Sequence, residues 1–238
     1  MKKSISIMIA VLGVGIMAAQ ANLITVTNTT NNQQGDLRTS GNGSTYNTTG
    51  SGFTQGALRA GEVTGPFLDR PEIKFNYANP LGVGETVQKA MLRLYVTQIT
   101  MPAAGNGSQL LVYSSQTMAG NTACVASDFE NSSFSLVGTW NAIVSGAATG
   151  WYEFDVTSVV TNDIAKDSTL ASVFRLQLNN DTAMDSTKNV QFVSFTDNST
   201  TGGTIPELVI TTAVPEPATI GMLGLGAVIT LLFRRLRA

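Results

Sequence analysis

Glu153 and Asp155, in Trp151-Tyr152-Glu153-Phe154-Asp155-Val156-Thr157, are the carboxylates most suggestive of chemistry in this chain. Glycoside hydrolysis needs two such groups on opposite sides of a scissile bond. Period-two alternation puts Tyr152, Phe154 and Val156 on one face of a strand and Trp151, Glu153 and Asp155 on the other. Carboxylates two residues apart on a strand point the same way and cannot bracket a substrate. Their plain reading is a solvated strand face. The chain has no histidine and one cysteine, Cys124. A histidine-based triad, a histidine metal cluster and a Cys-x-x-Cys site are therefore excluded, and Cys124 reads as a buried or incidental thiol. No catalytic residue and no metal site is assigned. Calcium is the ion such a chain could take, through Asp128, Glu130, Asp155, Asp181 and Asp185, but these lack the spacing of an EF-hand loop. Aromatic rings offer a different chemistry, stacking on sugar rings. Trp151 and Tyr95 both fall on outward strand faces and are the candidate glycan contacts; Trp140, after a turn, is expected to plug one end of the core.

Two terminal segments position this body in the cell. Met1-Lys2-Lys3 precedes an apolar run from Ile5 to Ala19, and Ala19-Gln20-Ala21 fits a small-x-small cleavage site. That order predicts a secretory signal peptide over 1–21. At the other end, Ala218 to Phe233 carries no charge and is followed by Arg234, Arg235 and Arg237. Sixteen helical residues rise about 24 Å, short of a hydrocarbon core of about 30 Å. Snorkelling arginines or local thinning would let the segment act as a single transmembrane helix, with the arginines on the cytoplasmic side. Pro215-Glu216-Pro217 ahead of it reads as an extended, accessible linker.

Proline-glutamate-proline, a short apolar span and an arginine cluster, in that order, resemble the bacterial PEP-CTERM sorting signal. The resemblance implies an exosortase-like membrane enzyme as partner and a Gram-negative-type envelope. It also implies transient membrane anchoring before release to the cell surface or matrix, and an association with exopolysaccharide.

Between these ends lies a body over 22–213. Setting aside Lys2, Lys3, the three tail arginines and Glu216 leaves 9 basic against 15 acidic groups, with no basic cluster, so nucleic acid is not an expected partner. The chain holds 30 Thr, 19 Ser and 17 Asn, a composition that favours strands and turns over long helices. Alternation predicts strands over 23–27, 88–97, 109–114, 151–157, 173–178, 189–196 and 208–212. Leu92, Leu94 and Val96 share one face, as do Phe174, Leu176 and Leu178. Thr157 to Lys166 offers one or two helical turns, with Val160 and Ile164 four apart and Thr157 or Ser158 as cap, or else a β-edge crossing. Residues 28–56, poor in large apolar groups, read as a long loop. The sum is all-β: a two-sheet antiparallel β-sandwich, jelly-roll-like.

Several segments in order are similar to the DNRLRE-type secreted β-sandwich, a family related to a carbohydrate-binding-module fold. They are Ala57-Leu58-Arg59-Ala60-Gly61, Arg70-Pro71-Glu72-Ile73-Lys74-Phe75, Ala90 to Thr97 (AMLRLYVT), Thr139-Trp140-Asn141, Glu153 to Val160 (EFDVTSVV) and Ile205 to Ile210 (IPELVI). The resemblance implies strands at the first two segments and a sandwich over about 23–212. Function is then expected to be that of an exported, non-catalytic envelope or matrix protein, structural, adhesive or glycan-associated. The alternatives are a secreted polysaccharide lyase or hydrolase, and a matrix protein with no ligand.

Overall fold

A computed structural model describes residues 21–27, 34–39, 46–48, 58–63, 67–76, 81–82, 84–100, 109–116, 132–166, 171–179, 191–196, 204–213 and 235. Within these the chain forms strands β1 (Ala21–Thr27), β2 (Gln34–Thr39), β3 (Tyr46–Thr48), β4 (Leu58–Val63), β5 (Phe67–Asn76), β6 (Thr86–Thr100), β7 (Leu110–Ser114), β8 (Ser135–Thr139) and β9 (Gly150–Asp155). Helix α1 (Thr157–Lys166) then precedes β10 (Ala171–Leu178), β11 (Gln191–Phe195) and β12 (Glu207–Ala213).

The protein is all-β and antiparallel, but its strands join in one curled half-barrel sheet rather than in two separately bonded layers. The order is β1-β12-β6-β11-β4-β5-β10-β7-β8, with β9 on β6 and the β2–β3 pair on β5. Two long strands explain the continuity. β6 has 15 residues and extends about 50 Å. Along one edge it pairs first with β12, over 86–93, and then with β11, over 96–100. Its other edge carries β9 over 91–96. β5 repeats the device, with β4 and then β10 along one edge and β2 along the other. Hydrogen bonding is thus carried around the corners where a sandwich would break. Alternation in a sequence reports which side chains are buried, not where a ladder stops.

The inward faces follow that alternation. Leu92, Leu94 and Val96 of β6, Phe174 and Leu176 of β10, and Ile73 and Phe75 of β5 are all fully buried. Phe75 and Phe174 meet edge-on at 6.2 Å. Each such side chain contributes on the order of 1.5–3 kcal/mol on leaving water. Trp140 lies in the same core, only 2% exposed. Its ring is tilted on Phe154 at 5.4 Å and stacked on Phe195 at 6.5 Å. Gly138 makes room here, since a Cβ at that position would stand 3.2 Å from the Phe154 ring. The other face of β10 packs a smaller cluster of Phe134, Ala171, Val173 and Tyr113, and the Arg175 guanidinium lies 4.2 Å from the Phe134 ring centre.

The 28–56 segment is not one long loop. It contains β2 and β3, and β2 pairs with β5 from Gln34↔Ile73 to Thr39↔Leu68. Backbone pairing on a strand edge needs no apolar side chains, which is why composition concealed it.

Helix α1 forms over its full expected length, with Val160 buried and Ile164 packed against the core. Its start differs from expectation. Asp155 is the residue that caps it, accepting from the Thr157 backbone N–H at 2.9 Å and from the Thr157 hydroxyl at 2.6 Å. Thr157 Oγ1 in turn accepts the Ala90 N–H at 2.9 Å, tying α1 to β6. The Thr157 hydroxyl, its backbone N–H and then Lys89 hold the Asp155 carboxyl below its ordinary range. The stabilisation is therefore complete above the usual carboxylate range and is lost as pH falls through the lowered pKa. Asp155→Ala should cost about 1 kcal/mol at neutral pH, and Asp155→Asn much less. Urea denaturation at neutral and acidic pH checks this: the Ala variant's deficit should shrink in acid, and a deficit independent of pH contradicts the assignment.

Candidate functional site

The outer face of β9, β6 and β12 brings together the two candidate glycan contacts. Tyr95 and Trp151 are cross-strand partners, and their rings meet edge-to-face at 5.7 Å and 86°. Both are half-buried. The outward phase read from the sequence is the one observed, since Phe154 on the same strand turns to the core.

The next rung holds a side chain that sequence reasoning did not single out. Arg93 lies between Glu153 on β9 and Glu207 on β12. Its Nε stands 3.0 Å from Glu153 Oε1 and its Nη1 donates to Glu207 Oε2 at 2.6 Å. The guanidinium also lies 4.8 Å from the centre of the Trp151 ring. Being partly solvated, such ion pairs contribute little individually, about 0–1 kcal/mol. Their effect is geometric: the carboxylates fix the guanidinium, and the guanidinium and Tyr95 fix the Trp151 ring. No local signal links Arg93 to Glu207, 114 residues away; only the strand register does.

Beyond this rung come Met91 and Val209, beside Thr25 of β1. The face is thus a shallow platform of an aromatic pair, a charged triad and an apolar row. Glu153 and Asp155 lie on it side by side and exposed. Glu153 is paired with Arg93, and Asp155 Oδ1 accepts from Thr157 at the start of α1. Among the described residues no group of three or more Asp, Glu, Cys or His is placed to hold a metal ion. Asp128, Glu130, Asp181, Asp185 and Cys124 lie outside the described residues.

The two termini of the body meet at one end of the sheet. β1 pairs with β12 over its whole length, from Ala21↔Ala213 to Thr27↔Glu207. The two expected processing regions thus emerge from neighbouring strand ends. Glu85, just before β6, fastens this corner. Its carboxylate accepts from the Gly82 N–H at 3.1 Å, the Thr212 hydroxyl at 3.0 Å and the Asn22 side-chain amide at 2.6 Å. The Gly82 amide foremost, then the Thr212 hydroxyl, keep its carboxyl below the ordinary range.

The segment after β12 decides the assignment of the tail. Residues 213–237 match the PEP-CTERM protein-sorting motif. No curated protein matches the chain. The PEP-CTERM motif begins at Ala213, the last residue of β12, so the sheet passes into the sorting segment without a spacer. It supports export and sorting, and implies processing by an exosortase-like system. Arg235 is the one expected sorting residue among the described residues, and it is exposed. Pro215, Glu216, Pro217, Arg234 and Arg237 lie outside them, as does Ala19 of the expected cleavage site; Ala21 opens β1. Among the described residues no helix is long and apolar enough to cross a membrane; the expected span over 218–233 lies outside them.

Proposed function

We propose that this is an exported, non-catalytic protein of the cell envelope or extracellular matrix, handed by its tail to an exosortase-like enzyme and holding glycan on the Tyr95–Trp151 face. The observation that carries the sorting half is the PEP-CTERM motif starting where β12 ends. A transient membrane anchor over 218–233 and release to the surface of a Gram-negative-type cell complete this reading. The glycan half is supported by an edge-to-face aromatic pair on an outward sheet face, steadied by Arg93 and flanked by polar groups. Rings so held offer apolar faces to a sugar, and the neighbouring side chains offer hydrogen bonds. The ordered likeness to DNRLRE-type sandwiches, with their carbohydrate-binding-module relatives, points the same way. In this reading the curled sheet is a jelly-roll variant whose two layers share long strands.

The test is binding of the full chain to an array of exopolysaccharides. Selective binding, reduced about tenfold or more in Trp151→Ala with an unchanged unfolding midpoint, is the expected result. Equal binding by wild type and Trp151→Ala removes this face from the reading.

A further inference from the structure

We propose that a cavity between β7, β8 and helix α1 is a binding site for one neutral sugar unit. This does not rest on the Tyr95–Trp151 reading, which concerns a different face of the sheet. The cavity has a volume of about 430 Å³, within the range of small-molecule sites, roughly 300–1,000 Å³. Its polar lining is Ser114, Ser133, Ser135 and Ser158, with the carboxamides of Gln116 and Asn162. Its apolar wall is Leu136, Val137 and Val159.

Three consecutive residues of β8, Ser135, Leu136 and Val137, line the same cavity, where a regular strand turns successive side chains to opposite faces. The β7–β8 ladder supplies the reason. Val112 pairs with Gly138 and Tyr113 with Leu136, so the register shifts and Val137 is left as an extra residue. Such a bulge bends the strand and re-aims its side chains. Leu136 is 55% exposed, although it is a large apolar residue on a strand. A ligand in the cavity would cover it.

The lining selects the ligand class. Hydroxyls and carboxamides each both donate and accept, as the hydroxyls of a sugar do. No charged side chain lines the cavity among the described residues. The two charges on α1 are not part of the lining: Lys166 Nζ donates to Gln116 Oε1, and Asp163 Oδ2 accepts from the Ser172 hydroxyl at 2.7 Å. An anionic or cationic ligand would thus have no counter-charge in the wall, whereas a neutral polyhydroxyl ring can bond the rim and rest its C–H face on Leu136 and Val159.

Saturation-transfer NMR and titration of the full chain with glucose, galactose, mannose and N-acetylglucosamine test this, with glucuronate and glucosamine as charged counterparts. Asn162→Leu and Ser158→Leu alter exposed positions on α1 and fill the cavity; helix content and unfolding midpoint report whether each variant folds. The expected result is that at least one neutral sugar binds, and that both variants weaken it about tenfold or more while Trp151→Ala leaves it unchanged. Methyl glycosides distinguish a free sugar from the end of a glycan: lost binding indicates the first and retained binding the second, and either upholds the site. The proposal is overturned if no neutral sugar binds, if a charged counterpart binds more tightly, or if both folded variants bind as wild type does. Loss of binding in Trp151→Ala alone would place the sugar on the other face and equally overturn it.

Discussion

Trp140→Ala is expected to destabilise the protein by about 3–5 kcal/mol, the scale for removing a buried aromatic ring from a close-packed core. The residue is 2% exposed. Its ring contacts Phe154 of β9 and Phe195 of β11, which flank opposite edges of β6. Its backbone N–H also donates to Leu110 O at 2.7 Å, so the turn after β8 is fastened to the start of β7. Against a typical domain stability of about 5–15 kcal/mol, the change removes much of the margin. Urea denaturation followed by circular dichroism measures it. Trp140→Phe should keep more than half of the lost stability, because it fills much of the same space. A loss below about 1 kcal/mol for the alanine variant would contradict the burial of this ring in the core.

A second large effect is expected at the tail. Replacing Pro215, Glu216 and Pro217 together by alanine should abolish processing while leaving the body folded. The three residues come soon after Ala213, where β12 ends, and lie within the PEP-CTERM match. Fractionation of cells expressing the variant should find nearly all of it retained with the membranes and still carrying residues 214–238. Its unfolding midpoint should equal that of the wild type. Wild-type levels of surface or released protein would show that the tripeptide is not read by the sorting system.

Much of this architecture can be read from side-chain alternation. Leu92, Leu94 and Val96 point inward because a strand with one buried face must repeat every two residues. Val160 and Ile164 forecast α1 because they are four apart, one turn of an amphipathic helix. Elements in polar or irregular stretches were less legible. β2 and β3 lie in a polar stretch, and β8 is five residues with a bulged register. The curl of the sheet depends on β5 and β6 each serving two partners along one edge, which no local pattern encodes.

The site divides along the same line. Trp151 and Tyr95 could be placed on outward faces from their own strands, but their pairing required the β6–β9 register. Arg93 is one charge among a polar alternation until β12 brings Glu207 beside it. Asp155 read as a free carboxylate because capping depends on where the chain turns, and the turn lies between β9 and α1. The tail could be identified from sequence for a different reason: a sorting signal is read as a linear address and needs no partner elsewhere in the fold.

The central claim is that a folded sheet body is exported and passed by its tail to a processing enzyme. Intact-mass analysis of the protein recovered from the surface or medium of the cells that make it tests this most directly. The predicted mass corresponds to a chain beginning at Asn22 and ending short of the arginine cluster at Arg234, Arg235 and Arg237. Recovery only from the cytosol, as a chain running from Met1 to Ala238, would contradict it.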